Sequence, residues 1–241
     1  MTEQTAYPRR YLKMDFKPVD LDSIEEVYKA LLEREISDLE SLESWCRDWS
    51  EVDSTIGEEG ARRFVQHTCY TDDAEITENY MEWIEKIQPC LKKISFDMDR
   101  KFIASPAIEQ LPEQEFGIWV KSVNNSVELF REENIPLQTE ETKLDAKYDE
   151  TIGAMSIEFD GEARTLPYMG RILEETDRDR REQSFRATWD RILEDQDKIE
   201  GIFDRQVELR HQMALNAGFD DYRALRFRQL ERFDNGQPHN G

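Results

Sequence analysis

The stretch "VELRHQMALNAGFDDYRALRFRQLERFD", residues 207–234, decides how the rest of the chain is read. Met213 closes an apolar row that begins far upstream with Phe185, Trp189, Ile192, Ile199, Phe203 and Val207 at near-helical spacing. The row stops at Ala217, and Gly218 fits a left-handed helix end with Phe219 folding back on the last turn. Asp220 is then placed to cap a final helix carrying Tyr222, Leu225 and Phe227. With Asp177 as its first cap, the upstream pattern predicts a single helix of about forty residues, roughly 60 Å long. Gly201 inside it is tolerable at about 1 kcal/mol relative to alanine.

Moving toward the N-terminus, the periodicity changes once. In "TIGAMSIEFDGEARTL", residues 151–166, Met155, Ile157 and Phe159 alternate with Ser156, Glu158 and Asp160, which is strand spacing. Asp160-Gly161 marks a two-residue hairpin turn, because both central positions of a type I′ turn need positive φ. Pro167 suits the start of a helix over 167–175.

Earlier segments are helical. Residues 1–20 read as an extended arm, with Pro8 and Pro18 opposing helix. Asp22 with Glu25, and Ser37 with Glu40, match capping boxes ahead of two apolar rows, Ile24 to Leu32 and Leu39 to Trp49. The short link between them predicts an antiparallel pair. A third helix is expected over 54–69 with Ile56, Phe64, Val65 and Thr68 inward, then one capped from "YTDD" at 70–73. Pro89 must kink or restart that helix, since it lacks a donor and crowds the preceding turn. The row continues through Leu91, Ile94, Met98 and Phe102, and a further helix is expected near 112–134. The fold class is therefore mainly α, long packed helices with one small β-hairpin near 151–166. The expected division is a helical lobe at 1–148, the hairpin at 149–166, the long helix with the start of a further region at 167–234, and a disordered tail at 235–241.

Composition limits the partners. Of 241 residues, 54 are acidic and 32 basic, a net charge of −22 that repels phosphate backbones and anionic membranes. Nucleic acid and membrane partners are not expected. Cys46, Cys69 and Cys90 show no paired spacing and read as free thiols in a reducing, cytoplasmic setting. The start "MTEQTAYPRRYLKMDF" lacks an apolar leader.

No complete catalytic constellation is visible. Glu208 and His211 form the chain's single Glu-x-x-His. A carboxylate-bridged metal pair on helices needs a second such motif and further carboxylates, so His211 reads as structural or solvated. His67 and Cys69 lack the companions that zinc requires, and His239 lies in the tail. In "EETDRDRREQSFR", residues 174–186, Asp177 and Asp179 suit a helix N-terminus and the arginines suit ion pairs. Glycine-loop, Walker and Gly-x-Ser-x-Gly motifs are absent from the sequence.

The opening stretch resembles a segment of the oligoendopeptidase F family through Leu209, Arg210, Ala217, Gly218, Phe219, Tyr222 and Arg232, with Asp234 nearby. "IEFDGEARTL" followed by Asp177, Arg178 and Arg181 resembles that family's hairpin and Asp-Arg-x-x-Arg helix start, and "TCYTDDAEITENYMEWIEKIQPCLKK" an earlier helix ending in proline. The similarity covers most of 10–234. It implies two helical lobes around a deep channel, a thimet-oligopeptidase-like endopeptidase acting on short peptides, and zinc held through His-Glu-x-x-His and a downstream Glu. This sequence contains no His-Glu-x-x-His: Gln212 and Leu215 follow His211. The resemblance therefore carries over no catalytic, substrate-binding or metal residue. The reading is an N-terminal portion lacking the zinc-binding half, with "NGQPHNG" departing from the family's continuation, no zinc bound, and the C-terminal catalytic half as a partner. The alternative is a non-catalytic helical interaction module.

Overall fold

A computed structural model describes residues 9–233; Pro8, Asp234, His239 and the expected tail lie outside them. The first helix, α1 (Leu21–Glu33), is capped by Asp20, whose carboxylate accepts the Ser23 N–H at 2.9 Å. The cap is thus two residues before the expected Asp22. The segment ahead of it is pinned by Glu51, whose carboxylate accepts the N–H groups of Arg10 and Leu12, each at 2.8 Å.

Helix α2 (Leu39–Cys69) merges what the sequence suggested were two helices. Asp38 and Ser41 form its capping box, in place of Ser37 and Glu40. Two glycines lie within it, and Gly60 serves packing: a Cβ there would meet the Trp83 indole at 3.0 Å. Trp45, Trp49, Val52 and Ile56 bury against α1, and the Trp45 Nε1–H donates to the Leu31 carbonyl at 2.9 Å. The end of α2 is rotated relative to expectation. Phe64, Val65 and Thr68 are exposed, while His67 is fully buried and its ring stacks on Tyr80.

Asp73 caps α3 (Ala74–Glu82), which passes through a π turn, Trp83–Ile87, into α4 (Gln88–Ile103). The wider turn absorbs Pro89 without a break in the chain's course. Met98 and Phe102 of α4 join the α1–α2 core, together with Val123 of α5 (Glu113–Leu129). A helix not expected from the sequence, α6 (Asn134–Gly153), comes next and occupies 149–153, so the hairpin starts later, at Ser156.

Strands β1 (Ser156–Phe159) and β2 (Glu162–Thr165) pair antiparallel, with Ser156 opposite Thr165 and Phe159 opposite Glu162. Asp160 at φ 54° and Gly161 at φ 80° form the tight turn read from Asp-Gly. Gly161→Ala is expected to cost about 1–2 kcal/mol in chemical denaturation, because the left-handed conformation crowds a Cβ even with open space around it. Ile157 and Phe159 pack on Met169 and Ile172 of α7 (Leu166–Ile172). Helix α8 (Arg178–Glu194) closes this small core, its buried Ser184 hydroxyl donating to the Met169 carbonyl at 2.8 Å.

The expected forty-residue helix is two. Asp195, at φ −103° and ψ 15°, interrupts it, and α9 (Gln196–Asn216) begins beyond. Arg191 pairs with Asp195 at 2.8 Å across the break. Gly218 at φ 85° ends α9 with Phe219 N–H reaching back to the Ala214 carbonyl at 3.0 Å, as the sequence indicated. Asp221, one residue later than expected, caps α10 (Tyr222–Gln229). The mainly helical class with one small hairpin is borne out.

Candidate functional site

The residues singled out in the sequence are scattered. His211 is exposed, and Glu208 is engaged by Arg205 at 2.9 Å. His67 is buried on a different helix, with no hydrogen-bond partner for either ring nitrogen among the described residues. Cys69 is exposed, while Cys46 and Cys90 are half-buried, all three as free thiols. Burial pushes the Cys46 thiol up to about 12. Among the described residues, no group of three His, Cys, Asp or Glu side chains is placed to hold a metal ion. Zinc requires three or more such ligands, and the described side chains do not fit it.

The segments carrying the resemblance turn out to be joints of the fold. Leu209 is buried, and Arg210 pairs with Glu141 of α6 at 2.6 Å while lying over the Tyr222 ring. Ala217, Gly218 and Phe219 build the helix end described above. The Asp177 carboxylate accepts the Asp179 and Arg180 N–H groups. Arg181 donates to the carbonyls of Glu175 and Thr176, Arg178 is exposed, and Arg180 ties Asp160 of the hairpin turn to Glu175. Arg232 is exposed.

The concave feature with chemical character was not visible in the sequence. A cavity of about 330 Å³ lies where α4, α5, α6 and α10 meet. Lys92, Phe96 and Asp99 face it from α4 because positions three, four and seven apart share a helix face. Its frame is made of amides. Asn125 donates to the Arg228 carbonyl and accepts from the Arg228 guanidinium, both at 3.0 Å. Asn134 donates to the Met213 carbonyl and accepts from Asn216. Arg131 binds the carbonyls of Asn216 and Ala217, at the C-terminal end of α9 where a cation is favoured. These groups hold α9 and α10 on the α5–α6 corner.

Asp99 and Lys92 have no such task. Burial, with the nearby Asp53 charge, pushes the Asp99 carboxyl up to about 7. Burial pulls the Lys92 ammonium down, partly offset by Glu141. Asp53 on α2 is accessible to solvent yet lined by enough protein that its carboxyl is also raised, even though it accepts the Tyr28 hydroxyl at 2.5 Å.

A pH effect arises from Asp99. An unfolded aspartate titrates near 4 and the folded one near 7, so the native state holds the extra proton between those values. Stability attributable to this group falls as pH rises through that window. Asp99→Asn, which mimics the neutral acid, should stabilise the chain at pH 8 and leave it unchanged below about pH 4. Urea denaturation at both pH values checks this.

A second feature is an unpartnered apolar row. Phe185 and Trp189 of α8 are 53% and 49% exposed, and Phe203 and Val207 of α9 are 59% and 48% exposed. These residues belong to the row whose near-helical spacing marked the long helical stretch in the sequence. Met213, which closes that row, is buried, as are Ile202 and Leu209 beside it.

This arrangement of helices around one hairpin is shared with helical peptidase structures. A chain described as PZ peptidase A with an inhibitor superposes with a TM-score of 0.84 at 21% identity, over 95% of this chain and 41% of that one. An assigned oligoendopeptidase F from Bacillus anthracis strain Ames gives a TM-score of 0.84 at 21% identity, over 93% of this chain and 42% of that one. A third structure, also assigned as an oligoendopeptidase F, gives 0.84 at 20% identity, over 94% and 40%. The chain thus has the fold of the N-terminal portion of these larger chains and spans about 41% of the first. Residues 11–130 match the family model of the Peptidase M3 N-terminal domain. A search of curated proteins found no match.

Proposed function

We propose that the chain is the N-terminal part of a zinc-dependent oligoendopeptidase that hydrolyses peptide bonds in short peptides. The observation that carries this reading is the match of residues 11–130 to the Peptidase M3 N-terminal domain. In the complete enzyme, zinc would supply an activated water and polarise the scissile carbonyl. The residues of this chain supply the wall beside that chemistry, with α4, α5 and α6 lining a cavity and α8 and α9 presenting an apolar face. On this reading the 241 residues alone do not cleave peptides, because the sequence has no His-Glu-x-x-His and the described residues assemble no ligand set for the metal. A reducing, cytoplasmic setting fits the three free thiols, and no described helix is long and apolar enough to cross a membrane.

The exposed row on α8 and α9 favours a partner surface, which here is the catalytic part of the same fold. A self-contained helical interaction module is the second reading, favoured by the same row. Dye binding separates a face awaiting its own fold from a finished surface. The isolated chain should bind a hydrophobic dye, and Phe185→Ser with Phe203→Ser should reduce the signal several-fold. A monodisperse chain that unfolds cooperatively and binds no dye would contradict the first reading.

A further inference from the structure

Lys92 and Asp99 are charged groups inside a cavity, and neither has an ion-pair or hydrogen-bond partner among the described residues. The other charged and amide groups that frame the cavity's α5–α6 corner are committed: Asn125, Asn134 and Arg131 bind main-chain carbonyls, and Glu231 accepts the Ser122 hydroxyl at 2.5 Å, while Ser95, Ser126 and Gln138 add neutral polar groups to the lining. The two free charges are opposite in sign and seven residues apart on one helix face, about 10 Å along the axis at 1.5 Å per residue. We propose that this cavity binds a short unblocked peptide by both ends, its carboxylate on Lys92 and its ammonium on Asp99.

Length and electrostatics agree with that assignment. An extended peptide covers up to about 3.3–3.6 Å per residue, so a tripeptide spans the two charges. The volume, about 330 Å³, is of the size that small ligands occupy. Asp53 adds negative potential beside Asp99, which favours an ammonium there. Glu141, whose charge acts on Lys92, is already held by Arg210 at 2.6 Å and competes weakly for the lysine. Phe96 and Phe130, stacked at 4.0 Å between ring centres, provide an apolar wall between the ends. The peptide class rests on the proposed function, whereas the charge complement stands without it.

The test is calorimetric titration of the 241-residue chain with trialanine at pH 8, beside N-acetyl-trialanine, trialanine amide and free alanine. Trialanine should bind, and blocking either end should weaken it at least tenfold. Lys92→Gln should weaken trialanine yet leave the amide's affinity unchanged, and Asp99→Asn should do the same with the acetylated peptide. Near pH 7, binding should release protons, because the ammonium requires ionised Asp99. Equal binding of doubly blocked peptide or of free alanine would overturn the inference, as would no binding to a chain that melts cooperatively. The blocked ligands use the unmodified chain, so the result does not depend on the variants folding. Hydrolysis plays no part in the readout. Binding without cleavage keeps the inference, and cleavage without trialanine binding removes it while leaving the peptidase reading intact.

Discussion

Trp45→Ala is expected to lower the unfolding free energy by about 3–5 kcal/mol, the range for emptying a buried large aromatic site. Trp45 is fully buried and sits where α2 crosses α1, its ring 5.0 Å from Trp49 between centres. Trp49 in turn lies against Phe102 and Trp119, so a void at Trp45 opens beside the aromatic cluster linking α2, α4 and α5. The indole hydrogen bond adds less. The Leu31 carbonyl that receives it also accepts the Arg34 N–H at 3.3 Å and is not orphaned by the change. Since a domain's whole stability is about 5–15 kcal/mol, this substitution should remove a large share of it. Urea denaturation measures the loss, and a value under about 1 kcal/mol would place Trp45 outside the core, against the range expected there.

His67→Leu should act in the opposite direction, stabilising the chain by about 1–3 kcal/mol. A neutral imidazole carries one donor and one acceptor, and here both nitrogens are buried without partners among the described residues. Leaving such groups unsatisfied costs the full desolvation of each, and an apolar side chain of similar volume removes that cost. The loss of stacking on Tyr80, where ring centres are 4.7 Å apart, limits the gain. The measurement is the same denaturation experiment. A destabilisation of comparable size would show that the imidazole is hydrogen-bonded in solution.

Local chemistry was legible in the sequence wherever one residue type does one job. Asp160-Gly161 and Gly218 announced left-handed backbone, Pro89 announced a disturbed helix, and Asp73 and Asp177 announced helix starts, all as found. Caps at Asp20, Asp38 and Asp221 were displaced by one or two residues, because several acidic or hydroxyl side chains stand side by side at those starts. The apolar row ending at Trp49 and the next one from residue 54 read as two helices, yet α2 runs through both without a break. Helix α6 escaped notice because its buried positions, Ile135, Ala146 and Thr151, do not form a bulky stripe. It is held instead by ion pairs from elsewhere, Arg205 to Glu140 and Arg210 to Glu141, with Lys143 to Glu85.

The row on α8 and α9 was legible as helical, but its exposure was not. Periodicity shows that a helix has an apolar face, and it says nothing about which element covers that face. The cavity could not be read at all. Lys92 and Asp99 are seven apart on one helix, but their isolation depends on what Asn125, Asn134, Arg131 and Glu141 do elsewhere in the fold. Those are long-range contacts without a local signature.

Whether this chain lacks the metal half of the enzyme is best tested by a peptidase assay on the purified 241 residues. The assay uses a quenched fluorogenic oligopeptide, added zinc, a chelator control and metal analysis of the same sample. No turnover and zinc well below one ion per chain are expected. Chelator-sensitive cleavage with stoichiometric zinc would contradict the proposal, because the metal ligands would then lie within a chain whose described residues assemble none.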